Sequence, residues 1–193
     1  GRKAQYEGYF IMRWLGEIGG DKCGGGWFDP YGTSPPTYVE QARQTILGGA
    51  KEALLFCYGS LQRDTGPDNI RKLRKELPEL FRLAEFIRGK KPRGISAPKP
   101  PNSDPNGDQY VYDFIGMLGL PLVPTADVNT DVHAAFLPYQ TLTDPQLPQK
   151  ITQITDRGIP LLITNHLAEE LDNVDKSQEV EVLDIPQNRW NLM

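Results

Sequence analysis

Apolar positions along the 193-residue chain gather into short runs separated by stretches rich in glycine, proline and charge. The first run, Tyr9-Phe-Ile-Met-Arg-Trp14-Leu-Gly-Glu17, is aromatic and β-branched at its centre and predicts a buried strand that closes at Glu17. The loop from Ile18 to Ser34 then sets six glycines (Gly19, Gly20, Gly24, Gly25, Gly26, Gly32) among Trp27, Phe28 and Tyr31. Thr37-x-x-Glu40 has the form of a capping box. Behind it Val39, Ala42, Ile46 and Leu47 share a helical face, and Gly48-Gly49 supplies the stop. Ala53 to Tyr58 predicts a second buried strand, so the whole stretch reads as one βαβ unit. After a loop over 59–67, Ile70, Leu73, Leu77, Leu80, Ala84 and Ile87 form an amphipathic helical stripe. Pro78 predicts a kink or restart within it, and Gly89 its end.

A domain boundary falls near Lys91, giving segments 1–92 and 93–193. The second segment alternates short apolar runs with helical patterns. Strands are expected at Gly94–Ala97, Leu120–Pro124, Ala134–Leu137, Ile159–Thr164 and Val180–Ile185. Helices are expected from Asp108 to Gly119, after Asp144 through Leu147, Ile151 and Ile154, and over Leu167–Leu171. The order β-α-β-β-α-β-α-β, with continuously apolar strands, argues a parallel sheet covered on both faces, a flavodoxin-like or Rossmann-like layer.

Composition narrows the picture. A hydrophobic content of 38% places the chain among ordinary globular proteins, and its 17 prolines and 19 glycines lie in loops without a period. No apolar run approaches the roughly 20 residues a membrane-spanning helix needs. Residues 1–103 hold 17 Lys and Arg against 11 Asp and Glu, whereas the remainder holds 4 against 14. The basic residues from Arg71 to Arg93 have no interleaved aromatic platform, so two solvated surfaces of opposite sign are the better reading than a nucleic-acid patch. Cys23 and Cys57 lack metal-ligand spacing and are expected as thiols rather than a disulfide. The sequence opens Gly1-Arg2-Lys3 without a signal-peptide pattern, which leaves the compartment open, secreted and periplasmic parents included.

The glutamate closing the first run, the aromatic loop, the helix with Gln41-Ala42-Arg43-Gln44, then Gly48-Gly49-Ala50-Lys51 and a strand ending Phe56-Cys57-Tyr58 resemble strands seven and eight of clan-A (β/α)8 glycosidases. The nearest likeness is to β-galactosidases that carry a Rossmann-like, glutamine-amidotransferase-like trimerisation domain after the barrel. Ala134 to Thr164, with Leu137-Pro138 before a helix and Gly158-Ile-Pro160 before a strand, resembles that domain. The resemblance implies an α/β protein made of the last strands and helices of a barrel followed by a flavodoxin-like domain. It also implies a carbohydrate substrate, oligomerisation through the second domain, and the nucleophile's role for Glu17. The family's acid/base glutamate lies on strand four, outside this sequence.

Glycoside hydrolysis uses two carboxyl groups flanking the scissile bond, and a barrel strand end delivers such a group into the cleft. The alternative for Glu17 is a solvated loop position. Trp14, Trp27 and Tyr31 offer apolar platforms for a sugar ring, although core packing explains Trp14 equally. Tyr58 ends the next strand. Asp21, Lys22 and Asp29 are candidates to bind hydroxyls or simply to face water. The glycine-rich loop matches neither phosphate-binding pattern, since Lys22 is followed by Cys23, so no nucleotide or other cofactor is expected. His133 and His166 make a weak metal set. Asn165-His166 follows a strand at the edge where α/β sheets bind ligands, but no cysteine follows Cys57 to complete an amidotransferase pair. Two functions result: the C-terminal part of a retaining glycosidase, inactive alone, or a non-catalytic α/β binding or oligomerisation module.

Overall fold

A computed structural model describes residues 6–171 and 180–183. The chain divides into two compact units, one ending at Lys91 and the other beginning at Pro92. Both are α/β, and every strand pairing is parallel. Among the described residues no helix is long and apolar enough to cross a membrane.

The first unit opens with a correction. Tyr9–Glu17 is not a strand; it lies within helix α1, Glu7–Gly19. A continuous apolar run cannot separate strand from buried helix by its pattern, and its length of 13 residues suits a helix. The first strand is instead β1, Gly25–Phe28, inside the stretch expected as a loop. Glycine is depleted in strands, and here it answers a close approach, because a Cβ on Gly26 would fall on Met12 of α1.

Helix α2, Pro35–Leu47, starts after Ser34 with two prolines in its first turn, where a missing amide costs nothing. The expected capping box does not form. Ser34 Oγ donates to Thr37 Oγ1 at 3.0 Å, and Glu40 is taken up by Arg43 and Gln44 further along the helix. Gly49, at φ +82°, turns the chain out of α2. Strand β2, Glu52–Leu55, then pairs with β1 from Gly25↔Glu52 to Phe28↔Leu55. After the single turn α3, Tyr58–Leu61, the long helix α4, Gly66–Ile87, runs on through Pro78. Its Leu73 and Leu80 close a core with Phe28, Tyr38, Val39 and Ala42.

The sides of this small sheet differ. Gly26 and Phe28 point toward α1 and α2, where Phe28 meets Tyr38 edge-on at 5.0 Å. Trp27 points the other way beside Phe56 (6.4 Å between rings) and is 67% exposed. That face carries no covering layer among the described residues.

The second unit follows the expected element order. It contains β3 (Ile95–Pro98), α5 (Val111–Met117), β4 (Leu122–Thr125), β5 (Ala135–Leu137), α6 (Leu147–Asp156), β6 (Leu161–Thr164), α7 (Asn165–Glu170) and β7 (Val180–Leu183). The sheet order is β4-β3-β5-β6-β7. Alternation along β5 shows why the strands are apolar throughout. Ala135 and Leu137 join Leu147, Ile151, Ile154 and Leu167 on one side, whereas Phe136 meets Tyr112 of α5 on the other, rings 5.9 Å apart. The expected extension of β7 to Ile185 lies outside the described residues.

Candidate active site

In a parallel βα arrangement the carboxyl ends of the strands share one edge, and ligands bind there. In the first unit that edge is built from the segments after β1 and β2. Asp29 follows β1 directly and is half-buried. Its backbone carbonyl accepts the Gln41 side-chain amide at 3.3 Å and the Thr33 hydroxyl at 3.4 Å. Its carboxylate accepts the Tyr31 backbone N–H at 3.2 Å, an Asx-turn. The next carbonyl, of Pro30, accepts the Thr65 hydroxyl at 3.4 Å, which ties the turn to the start of α4. The turn is held mainly through its backbone, which leaves most of the carboxylate's capacity unspent. Beneath it the buried Tyr38 phenol is pushed up to about 12, first by burial and second by the Asp29 charge.

From the β2 side, a cis peptide joins Phe56 to Cys57. The Cys57 thiol lies 3.3 Å from the Tyr31 hydroxyl and 3.3 Å from the Ser60 hydroxyl. Hydrogen bonds from Ser60, then Tyr31, then the Ser60 backbone favour the thiolate and bring Cys57 down to about 7 from 9.0. Tyr31 also sets its ring edge-on to Phe56 at 6.2 Å. Tyr58, the first residue of α3, is 77% exposed beside them. Both cysteines are free thiols. Alkylation of Cys57 should accelerate as pH rises through about 7, because the folded protein holds the reactive form at a lower pH than a free thiol. Removing both hydroxyls, Tyr31→Phe with Ser60→Ala, should return the midpoint of the iodoacetamide rate toward 9.0.

The residues singled out from sequence therefore separate. Trp27, Asp29, Tyr31 and Tyr58 gather at the carboxyl edge. Glu17 does not close a strand; it sits exposed near the end of α1, with Asp21 and Lys22 in the following turn leading into the start of β1. A four-residue strand spans about 13 Å, so Glu17 belongs to the opposite end of the sheet from Asp29. Trp14 lies half-buried on α1. Asp29 was visible only as one loop carboxylate among several, and Cys57 and Ser60 were not seen as part of a site. The available signal was Asp29-Pro30-Tyr31-Gly32, turn residues that end a strand.

The second unit holds another polar centre. Asp108, 2% exposed, accepts the Thr164 hydroxyl at 2.6 Å and the Tyr139 backbone N–H at 2.9 Å, and pairs with His166 Nδ1 at 2.7 Å. Thr164 ends β6, Tyr139 follows β5, and His166 lies in the first turn of α7, so one carboxylate joins three segments at the carboxyl edge of the sheet. The nearby Tyr112 phenol, which donates to the Pro98 carbonyl at 2.6 Å, is raised well above its ordinary value by burial and then by the Asp108 charge. His133 is exposed. Among the described residues no group of three or more His, Cys, Asp or Glu is arranged to hold a metal ion.

The carboxyl edge of the first unit thus presents the Asp29 carboxylate beside Tyr31, with Trp27 and Tyr58 exposed near it. Residues 1–103 match the family described as probable glycosyl hydrolase, catalytic domain, and the chain belongs to that family. It is similar to the uncharacterized protein SSO3021 of Saccharolobus solfataricus, 25% identical over 193 residues, which takes in 94% of this chain and 31% of the relative. The chain thus spans about a third of that relative's length. No solved structure matches.

Proposed function

We propose that the first unit is the closing part of the (β/α)8 barrel of a retaining, β-galactosidase-like glycoside hydrolase, with β1 and β2 as its last two strands. The observation that carries this reading is Asp29, at the carboxyl end of β1, with Trp27, Tyr31 and Tyr58 along the same edge. Asp29 replaces Glu17 as the nucleophile, because a barrel delivers catalytic groups from strand ends. A carboxyl group on an earlier strand of the parent supplies the acid, so the 193-residue chain is inactive by itself. Trp27 and Tyr31 give a sugar ring apolar surface, and Tyr58 a hydroxyl.

The strand order of the second unit, 2-1-3-4-5 when counted within it, is that of flavodoxin-like sheets. It supports an accessory Rossmann-like domain. Exposed Phe114, Met117 and Leu118 on and just after α5 suit a subunit contact, which supports oligomerisation through this domain.

The test is hydrolysis of aryl glycosides by the full-length parent, with the anomer formed first followed by proton NMR. Aryl β-galactosides should be cleaved with retention of configuration. Inversion would remove the nucleophilic role of Asp29. No cleavage across a panel of aryl glycosides would sink the enzymatic reading and leave the binding or oligomerisation module.

A further inference from the structure

The Cys57 sulfur stands between two hydroxyls, and the elements that carry it are themselves fixed. Phe56 N donates to Phe28 O at 3.2 Å, which holds the end of β2 against the end of β1. The Ser60 and Leu61 amides donate to the Cys57 carbonyl at 3.0 and 3.1 Å and close the turn α3 over it. The start of α4 seats directly on that turn. A Cβ on Gly66 would fall on the Ser60 carbonyl oxygen, so only glycine allows the approach.

The Tyr31 side chain is held less firmly. Its ring is 54% exposed and meets Phe56 by one edge. Among the described residues its hydroxyl has one hydrogen-bond partner, Cys57 Sγ at 3.3 Å. A thiol is a weak donor and a phenol a good one, so the proton stays on oxygen and sulfur accepts. Ser60 Oγ, also at 3.3 Å, directs its proton to the same sulfur. Two donated bonds favour ionised sulfur, in agreement with a Cys57 brought down to about 7. A phenol whose proton is committed to sulfur turns its oxygen lone pairs outward.

We propose that Cys57 is a positioning residue: it fixes the Tyr31 ring and makes the Tyr31 hydroxyl an acceptor for one hydroxyl group of the substrate. This assignment rests on the glycosidase reading for the identity of the ligand, while the coupling of Cys57 to Tyr31 stands apart from it. Polarity selects the ligand class. Tyr31 binds the Asp29 carboxylate through its backbone and the Cys57 sulfur through its hydroxyl. An acceptor between two acidic groups suits a neutral sugar hydroxyl and disfavours a carboxylated or sulfated sugar.

The experiment uses the full-length parent, unmodified and as Cys57→Ala, Tyr31→Phe, the double variant and Cys57→Ser. For an aryl β-galactoside, Cys57→Ala and Tyr31→Phe should each raise KM about three- to tenfold, the size of one hydrogen bond. A contact made equally in ground and transition states leaves kcat within about twofold. The double variant should be no worse than Tyr31→Phe alone, because Cys57 acts through that hydroxyl. Cys57→Ser keeps an acceptor and should recover part of the loss. Single effects that multiply in the double variant, or a fall in kcat at unchanged KM, would overturn the proposal. A second readout needs no turnover: fluorine NMR of a ring-fluorinated tyrosine placed at position 31. Cys57→Ala should shift that signal and narrow it as the ring is released. An unmoved signal would overturn the proposal even in a parent that cleaves glycosides. A moved signal in a parent that cleaves none would keep Cys57 as the group that places Tyr31, and overturn both the sugar ligand and the glycosidase reading.

Discussion

Asp29→Asn in the full-length parent should lower kcat/KM for an aryl glycoside by on the order of 10³-fold or more, while Glu17→Gln should change it less than about threefold. The first figure is the size expected when a carboxylate acting directly at the reacting centre loses its charge. Asparagine keeps an oxygen where the Tyr31 amide binds, and the Gln41 and Thr33 contacts go to the backbone carbonyl. The turn therefore survives the substitution, and the loss reports chemistry rather than folding. Glu17 is exposed at the far end of the sheet and has no route to that edge. The two variants are assayed side by side with circular dichroism as the folding control. A further variant, Asp29→Gly with added azide, separates nucleophile from acid: a small anion restores turnover in the first case and yields the inverted glycosyl azide. Equal activity in Asp29→Asn and the unmodified parent would remove Asp29 from the mechanism.

The second large effect is on stability. Asp108→Ala should cost the second unit about 3–5 kcal/mol, measured as a shift in the urea midpoint and located by faster amide exchange in β5 and β6. The carboxylate is buried and serves three donors on three segments, so its removal strands the Thr164 hydroxyl, the Tyr139 amide and the His166 ring nitrogen together. Asp108→Asn keeps one oxygen and should cost clearly less. Were the alanine variant as stable as the asparagine one, the buried charge would be offsetting its own hydrogen bonds, and the pair would be no staple.

Much of the second unit was legible because its strands carry their own evidence. Phe136 and Leu137 are adjacent, apolar and buried on opposite faces, which only a doubly covered strand explains. The stripe on α4 was equally plain, and the helix accommodated Pro78 where the sequence suggested a break. The first unit was harder for two physical reasons. Helix α1 looked like a strand because it carries no start signal of a helix: Tyr6 at its N-cap makes no side-chain capping hydrogen bond. Strand β1 looked like a loop because contacts with Met12 and Glu52 exclude side chains at Gly26 and Gly25, leaving too few residues to show alternation. With those two elements in place, Asp29 rather than Glu17 stands at the carboxyl end of a strand. Asp108 was hidden for another reason. It sits in the polar stretch Asp104-Pro-Asn-Gly-Asp108, and nothing local distinguishes a carboxylate that is buried by distant partners.

The way the Asp29 turn is fastened has a consequence for how such a site can change over evolutionary time. Gln41, Thr33 and Thr65 grip main-chain carbonyls, which every amino acid possesses. The identity of residue 29 is therefore only weakly coupled to the shape of the loop that presents it. A lineage can exchange that side chain, and with it the reaction, on an inherited loop, whereas a change at Thr33 or Gln41 disturbs the loop for every chemistry placed there.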